Sequence, residues 1–235
     1  MTVKTVGERA TEVDVATLLR TETPRVSDVA IRILDVVVAA IMLLVLSPVL
    51  LVVAVAIMLD SPGPVIFRQR RLGKDLRPFP VAKFRTMYDG SATDSHRVHV
   101  ERMICDDDDD TGDGKPVPMM KMEKDPRVTK IGGFLRRSSI DELPQLWNVL
   151  RGEMSLVGPR PPIQYEVDKY PVRAYRRFAV RPGLTGLWQV RGRSLTSFPE
   201  MVALDVEYVD RRSLLLNLKI LLLTVPTVIH GKGAR

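Results

Sequence analysis

A long apolar segment near the N-terminus constrains this chain more than any other feature. No charged residue lies between Asp35 and Asp60, and nearly every position in that interval is apolar. An apolar run of about eighteen residues or more is a candidate membrane helix. Ser47 and Pro48 interrupt the run at its midpoint, where the proline removes a backbone donor and crowds the carbonyl of Leu44. The serine hydroxyl is expected to satisfy part of the freed backbone.

Two membrane geometries are compatible with this segment: a kinked helix that crosses the bilayer, or a broken helix that enters and returns to the same face. Each half is only about 18 Å long, shorter than a hydrocarbon core of about 30 Å. Basic residues flank both ends: Arg20, Arg25 and Arg32 before, and Arg68, Arg70, Arg71 and Lys74 after. Because basic flanks stay cytoplasmic, the hairpin suits both of them. The segment alone leaves both geometries open.

The composition limits the class of partner. The chain has 235 residues, with 35 Lys and Arg against 28 acidic residues, and a net charge of +7. Such an excess favours an anionic partner, namely a phosphate, a nucleotide, a lipid head group or a nucleic acid. Aromatic residues make up only 6% of the chain, few for stacking on nucleic acid bases. The single cysteine, Cys105, excludes a disulfide framework and a cysteine-based zinc site.

The sequence divides into three parts: an N-terminal tail over 1–26, the membrane helix over 27–60, and one domain over 61–235. Within that domain, residues 89–118 contain the run CDDDDD. Adjacent aspartates repel one another, which predicts a flexible acidic loop.

A β-hairpin is predicted at the start of this domain, with strands near 65–71 and 79–86 and a turn at Gly73. Side chains alternate along a strand, so Lys83 and Arg85 fall on one face of the second strand. The pair is either a solvated basic edge, which edge strands often carry, or a clamp for phosphate.

An amphipathic helix is predicted from apolar positions at i, i+3, i+4 and i+7: Leu143, Leu146, Trp147 and Leu150. Pro144 is tolerated only in a first turn, so the helix should begin near Asp141, capped by Ser138, Ser139 or Asp141 itself. Asp141 and Glu142 then lie at a helix N-terminus. Spacing alone favours capping and dipole complementarity for these two acids.

The remaining segments are assigned more coarsely. They are a stiff turn with one arginine at 155–162, a basic helical stretch at 165–180, a glycine-punctuated loop at 181–193, a charged surface helix at 200–212, and a terminal helix lying in the membrane interface. The glycines of the loop could let its backbone approach a ligand closely.

Taken in order, these stretches resemble the bacterial sugar transferase family, the monotopic polyprenyl-phosphate phosphoglycosyl transferases. The matching pieces cover roughly residues 27–233: the Ser-Pro membrane helix, GPVIFRQRRLG, KFRTM, DPRVTKIGGFLRRSSIDELPQLWNVLRGEMSLVGPRP, RPGLTGLWQVRGR and LKILLLTVP. The resemblance implies a helix-rich α+β fold with a re-entrant membrane helix, interfacial amphipathic helices and a small β-hairpin. The acidic insert at 105–113 is not part of the family pattern.

The resemblance also assigns roles to residues. Asp141 and Glu142 would be the catalytic pair and the Mg²⁺ ligands, with Asp141 as the nucleophile. The other implied site residues are Arg136, Lys83 and Arg85 for phosphate, Pro159, Arg160 and Pro161 for the nucleotide, and Ser47 and Pro48 for the break in the membrane helix.

The implied enzyme is a sugar-phosphate transferase. It would move a sugar 1-phosphate from a UDP-sugar to undecaprenyl phosphate and release UMP, through a covalent phosphosugar–aspartate intermediate. This is the first membrane step of exopolysaccharide, capsule or O-antigen synthesis, on the cytoplasmic face of the bacterial inner membrane. The stretch TGLWQV with GRS is similar to the glucose or galactose branch. A homodimer is left open, and nucleic acid is not an expected partner.

A non-catalytic alternative is a membrane-anchored basic adaptor for anionic lipid or nucleic acid. It explains the net charge and the anchor. It does not explain the sequence DEL after RRSS, or the PRP turn at 159–161.

Overall fold

The computed structural model describes residues 15–19, 26–90, 125–191 and 197–229. The predicted acidic loop and N-terminal tail therefore lie mostly outside the described residues. The helices are α1 (Val15–Leu19), α2 (Val26–Asp60), α3 (Lys130–Ser138), α4 (Gln145–Arg151), α5 (Gln164–Val167), α6 (Leu187–Arg191), α7 (Phe198–Arg211) and α8 (Leu214–Ile229). The strands are β1 (Ile66–Leu72), β2 (Pro78–Phe84), β3 (Ser155–Val157) and β4 (Gly183–Thr185), and short 3₁₀ segments occupy Lys74–Leu76, Ile140–Glu142 and Val172–Ala179. The fold is α+β and rich in helix, as predicted.

The predicted membrane segment is helix α2, which has 35 residues and continues through Pro48. The Ser47 hydroxyl donates to the carbonyl of Leu44 at 2.8 Å, which confirms the expected compensation for the proline. Of the helices in the described ranges, α2 has the length and apolar composition needed to cross a membrane.

Both halves of α2 pack against the domain formed by the rest of the chain. In the first half, Ala39 is fully buried in the main core. In the second half, Val53 and Ile57 pack with Phe84 and Leu135. Between them, Met42 and Leu43 pack partly against the main core, while Leu44 is 77% exposed. If α2 crossed the bilayer as a straight helix, one of its two ends would be too far from the domain to make these contacts. The contacts therefore favour a re-entrant helix, which enters the membrane and returns to the same face.

The predicted β-hairpin is confirmed. Strands β1 and β2 pair antiparallel, with Ile66 opposite Phe84 and Leu72 opposite Pro78. A second, smaller sheet pairs β3 and β4 in parallel, with Ser155 opposite Gly183. The sequence indicated only a turn and a loop in these two segments. Three-residue strands are too short to produce a recognisable alternation.

Helix α7 confirms the charged surface helix predicted at 200–212: Glu200, Asp210 and Arg211 are exposed, while its apolar face, with Met201 and Tyr208, is buried. Helix α8 exposes leucines along one side, as an interfacial helix would. Asn217, which interrupts the apolar pattern of α8, is buried, and its Oδ1 lies 2.9 Å from the Tyr208 hydroxyl.

Helix α3 was not predicted, because two adjacent glycines weaken its pattern. The Thr129 side chain caps it by accepting from the Gly132 amide at 3.0 Å. A Cβ on Gly132 would overlap the carbonyl of Thr86, so glycine is what lets α3 lie directly against the segment that follows β2. This contact places the end of α3 beside the hairpin.

Candidate active site

The acidic pair, Asp141 and Glu142, lies in the 3₁₀ segment between α3 and α4. Ser139 ends α3 in a left-handed conformation (φ 58°) and redirects the chain into this segment. Regular α-helical bonding begins at Gln145, later than predicted, but Leu143 and Pro144 already have right-handed helical angles. The two acids therefore lie in a 3₁₀ turn that runs directly into α4. Pro144 lies in the first turn of this helical stretch, where a proline is tolerated.

Lys83 meets this pair directly. Its Nζ donates to Glu142 Oε1 at 2.7 Å, and the two side chains are 28% and 36% exposed. The hairpin holds Lys83 over the acidic pair from β2. Because both groups are partly open to solvent, a ligand can reach them without the domain unfolding.

Arg136 lies at the end of α3 and its Nε donates to Thr86 Oγ1 at 3.0 Å. Burial lowers the pKa of Arg136, while the charges of Asp141 and Asp125 act in the opposite direction. A guanidinium within electrostatic range of Asp141 adds to the positive field at the acidic pair. The structure thus places Lys83 in contact with Glu142 and Arg136 within electrostatic range of Asp141.

Arg85 lies elsewhere. Its guanidinium donates to the carbonyls of Pro62 at 2.8 Å and Ser61 at 2.6 Å, and it is buried. Strand β2 ends at Phe84, yet the pairing continues one step further, since the Arg85 amide donates to the Val65 carbonyl at 2.9 Å. Lys83 contacts Glu142, whereas hydrogen bonds to Ser61 and Pro62 engage the Arg85 guanidinium. These hydrogen bonds tie the β-hairpin to the segment that follows α2.

The Arg160 turn, residues 158–162, follows β3 and contains Pro159, Arg160 and Pro161. Arg160 Nη1 lies 3.5 Å from Glu166 Oε2. Burial by itself would raise the pKa of Glu166, but the charges of Arg160, Arg71 and Arg177 hold it below its ordinary value. Glu166 is therefore an ionised partner that restrains the Arg160 side chain.

Two buried arginines hold the main chain of the Arg160 turn. Arg71 Nη1 donates to the carbonyl of Pro161 at 2.6 Å, and Arg177 Nη2 donates to that of Arg160 at 3.1 Å. Burial and the charge of Arg160 lower the pKa of Arg71 to about 10, opposed by Glu166 and Glu142. Arg71 is thus within electrostatic range of both the turn and the acidic pair. The sequence predicts only a basic flank at Arg71, since nothing in QRR distinguishes a buried arginine.

Arg177 is itself held inside the protein. It forms an ion pair with Asp205 of α7 and donates to the Tyr170 hydroxyl at 2.8 Å. A shallow depression opens beside Arg160 and Arg177 and is also lined by Leu72, Gly73, Phe178 and several prolines. This depression gives the Arg160 turn an open side.

The glycine-punctuated loop at 181–193 approaches the chain itself rather than a ligand. A Cβ on Gly183 or on Gly186 would overlap the backbone of Gly158, and a Cβ on Gly158 would overlap the Arg181 carbonyl. The glycines allow β4 to pack closely beside the start of the Arg160 turn. These glycines therefore serve the packing of β4 against the Arg160 turn.

Comparison with known proteins decides the family. A model of the family described as bacterial sugar transferase matches residues 26–231. The chain belongs to the bacterial sugar transferase family. As a member of this family it is an enzyme, and the resemblance inferred from its sequence is confirmed.

Three relatives show the extent of the match. A UDP-glucose:undecaprenyl-phosphate glucose-1-phosphate transferase of Caulobacter vibrioides is 44% identical over 90% of this chain and 74% of the relative. The exopolysaccharide production protein ExoY of Rhizobium meliloti is 38% identical over 89% of both chains. A galactosyl transferase CpsE of Streptococcus agalactiae is 43% identical over 88% of this chain, which spans only 44% of that relative.

The acidic pair can bind the Mg²⁺ that the resemblance implies only if water and substrate phosphate supply the remaining ligands. Among the described residues, no group of three or more metal-binding side chains lies together. Mg²⁺ commonly takes one or two carboxylates and completes its shell with water and substrate phosphate oxygens. Asp141 and Glu142 can supply those carboxylates to an ion that arrives with a phosphate ligand.

Proposed function

We propose that this enzyme transfers a sugar 1-phosphate from a UDP-sugar to a polyprenyl phosphate. The observation that supports this most directly is the acidic pair, Asp141 and Glu142, set beside Lys83 and within electrostatic range of Arg136 and Arg71. A carboxylate nucleophile surrounded by cations is suited to attack on a phosphorus atom whose oxygens are negatively charged. The name of the Caulobacter vibrioides relative describes this kind of transfer.

In the first step, a carboxylate oxygen of Asp141 attacks the sugar-bearing phosphorus of the UDP-sugar. The bond to the bridging oxygen breaks, and that oxygen leaves with UMP. In the second step, a phosphate oxygen of the polyprenyl phosphate attacks the same phosphorus and releases the Asp141 carboxylate. The product is a polyprenyl diphosphate sugar, and the enzyme returns to its starting form.

Lys83 and Arg136 would offset the negative charge of the donor as the carboxylate approaches. Asp141 and Glu142 would hold Mg²⁺, which supplies further charge neutralisation to the diphosphate when it is bound. Arg160 would contact the nucleotide, on a turn whose backbone is held by Arg71 and Arg177. Arg85 is assigned no contact with the donor, because its hydrogen bonds go to the chain.

The proposed location is the cytoplasmic face of the bacterial inner membrane, with α2 as a re-entrant hairpin. The acceptor phosphate lies at the membrane surface while its prenyl chain lies in the bilayer. A hairpin that rises to Ser47 and Pro48 and returns would keep the acidic pair at that surface. The contacts of both halves of α2 with one domain support this arrangement.

The test is release of UMP by the purified full-length protein with undecaprenyl phosphate, Mg²⁺ and a panel that includes UDP-glucose and UDP-galactose. Wild type should release UMP with at least one donor, and Asp141→Asn should lose at least about tenfold in rate, because an amide cannot replace the nucleophile. Asp168→Asn, an exposed carboxylate outside the site, is the matched control. No release with any donor would instead favour a non-catalytic adaptor.

A further inference from the structure

Two charged residues of α2, Arg32 and Asp35, face the folded domain. Asp35 is only 2% exposed, on a helix that is otherwise apolar after it. Its Oδ1 accepts from Ser155 Oγ at 3.0 Å and from the Leu156 amide at 2.9 Å. A buried carboxylate is tolerated only when it is well hydrogen-bonded, so these contacts account for its position.

Asp35 caps an edge of β3. The Ser155 amide donates to the Pro182 carbonyl at 2.8 Å, toward β4. Successive amides along a strand point to opposite sides, so the Leu156 amide faces away from β4 and would have no strand partner. The Asp35 carboxylate occupies that side and satisfies the amide. Strand β3 is thereby held between β4 and the membrane helix.

Arg32 holds the end of α4. Its Nη1 donates to the carbonyl of Val149 at 2.7 Å and its Nη2 to that of Leu150 at 2.9 Å. Carbonyls in the last turn of a helix carry the negative end of its dipole and often lack helical partners. The Val149 carbonyl also accepts from the Gly152 amide at 3.0 Å, so Arg32 adds a second, charged donor there and a donor for Leu150. Arg32 and Asp35 are three residues apart, so they lie on one face of α2.

The two elements held in this way carry the two halves of the candidate site. Helix α4 begins at Gln145, and only Leu143 and Pro144 separate it from the segment that carries Asp141 and Glu142, while β3 leads into the Arg160 turn. We propose that Arg32 and Asp35 are positioning residues that fix α4 and β3 on the membrane helix and so set the separation of the acidic pair from the Arg160 turn. The kinetic part of this proposal rests on the proposed function, while the structural part does not.

The experiment compares full-length variants of Asp35 in nanodiscs. Asp35→Ala removes both acceptor contacts, whereas Asp35→Asn keeps one acceptor oxygen. Asp28→Ala is the matched control, since Asp28 is a carboxylate of the same helix that pairs with Arg212 at 2.6 Å. Each variant is assayed well below its own Tm for kcat and KM with the donor that wild type uses, and by hydrogen exchange of the peptide containing Leu156.

Asp35→Ala should lose at least about tenfold in kcat/KM and should exchange faster at Leu156, while Asp35→Asn and Asp28→Ala should stay within about threefold of wild type. The proposal is overturned if folded Asp35→Ala keeps wild-type kcat/KM, or if Asp35→Asn is as impaired as the alanine variant. If Asp35→Ala does not fold, Arg32→Met is assayed instead: it should lose at least about tenfold in kcat/KM, and wild-type kcat/KM in the folded variant overturns the proposal. If wild type releases no UMP, the proposed function fails, and exchange at Leu156 still decides whether Asp35 holds β3.

Discussion

Lys83 Nζ and Glu142 Oε1 lie 2.7 Å apart, and this ion pair joins the β-hairpin to the turn that carries both candidate catalytic acids. The residues are far apart in sequence and belong to different elements. Their contact places a cation beside the two acids and leaves it partly open to solvent. This combination suits a group that interacts with a charged ligand more than one that stabilises the fold.

Lys83→Met should therefore separate activity from stability. A partly exposed ion pair contributes no more than about 1 kcal/mol, so Tm should change little. UMP release should fall at least about tenfold, because the donor phosphates lose a neighbouring cation. Lys74→Met, at the exposed tip of the same hairpin, is the control. A large loss of Tm with an unchanged rate per folded molecule would show that Lys83 is structural.

Arg160→Ala should weaken binding of the nucleotide donor more than that of the lipid acceptor. The Arg160 side chain is restrained by Glu166 at 3.5 Å, while its backbone is held by Arg177. We expect apparent KM for the UDP-sugar to rise about tenfold and that for the polyprenyl phosphate to change little. Arg173→Ala, at an exposed position, is the control. Equal increases in both KM values would contradict a donor-specific role.

Gly132→Ala and Gly133→Ala should have opposite effects on stability. A Cβ on Gly132 would overlap the Thr86 carbonyl, so the first variant should be destabilised by about 1–3 kcal/mol. A Cβ on Gly133 would meet only Arg137 Nη1 at 3.6 Å, and alanine there should stabilise α3 by up to about 1 kcal/mol. Chemical denaturation measures both changes. If the two variants are equally stable, α3 does not lie against the Thr86 segment as described.

Glu166→Gln should change how stability depends on pH. The folded-state pKa of Glu166 lies below its ordinary value, so its ionised form stabilises the fold. That contribution is complete above the unfolded-state pKa of about 4.3 and is lost as pH falls through the folded-state value. Wild type should therefore exceed Glu166→Gln in Tm at neutral pH, and the difference should shrink in acid. Glu207→Gln, which removes a carboxylate whose ion pairs lie at the surface, is the matched control.

Replacing Ser47 and Pro48 together with leucine should turn the hairpin into a membrane span. Proline inside a helix costs about 3 kcal/mol relative to alanine, and its removal favours one straight apolar helix. A cysteine placed near position 10, in a background without Cys105, reports the side of the membrane with an impermeant reagent. Wild type should be protected from outside and the double variant should be labelled. Labelling of wild type from outside would refute the hairpin.

Part of the fold follows from local sequence patterns. The apolar run, with Ser47 and Pro48 at its centre, predicted α2 and the hydroxyl contact with Leu44. Alternation and Gly73 predicted the hairpin within two residues of its observed ends. These features depend on neighbours along the chain, so their physical causes are visible in a short window of residues.

The sequence also indicated the acidic pair, but through resemblance rather than spacing, because two acids before an amphipathic helix are typical of an ordinary cap. Strand alternation placed Lys83 and Arg85 on one face, but in the structure Lys83 meets Glu142 while the Arg85 guanidinium is hydrogen-bonded to Ser61 and Pro62. Alternation gives the face of a side chain and not its tertiary partners.

The tertiary structure alone decided which charges are buried and what they hold. Arg71, Arg177, Glu166 and Asp35 look like ordinary polar residues in the sequence, yet each lies inside the protein against a backbone or a charge from a distant segment. Burial strengthens such contacts and makes an unpaired partner costly, so packing determines their roles. The separation between Asp141 and the Arg160 turn likewise depends on how α4 and β3 pack on α2, which no local pattern encodes.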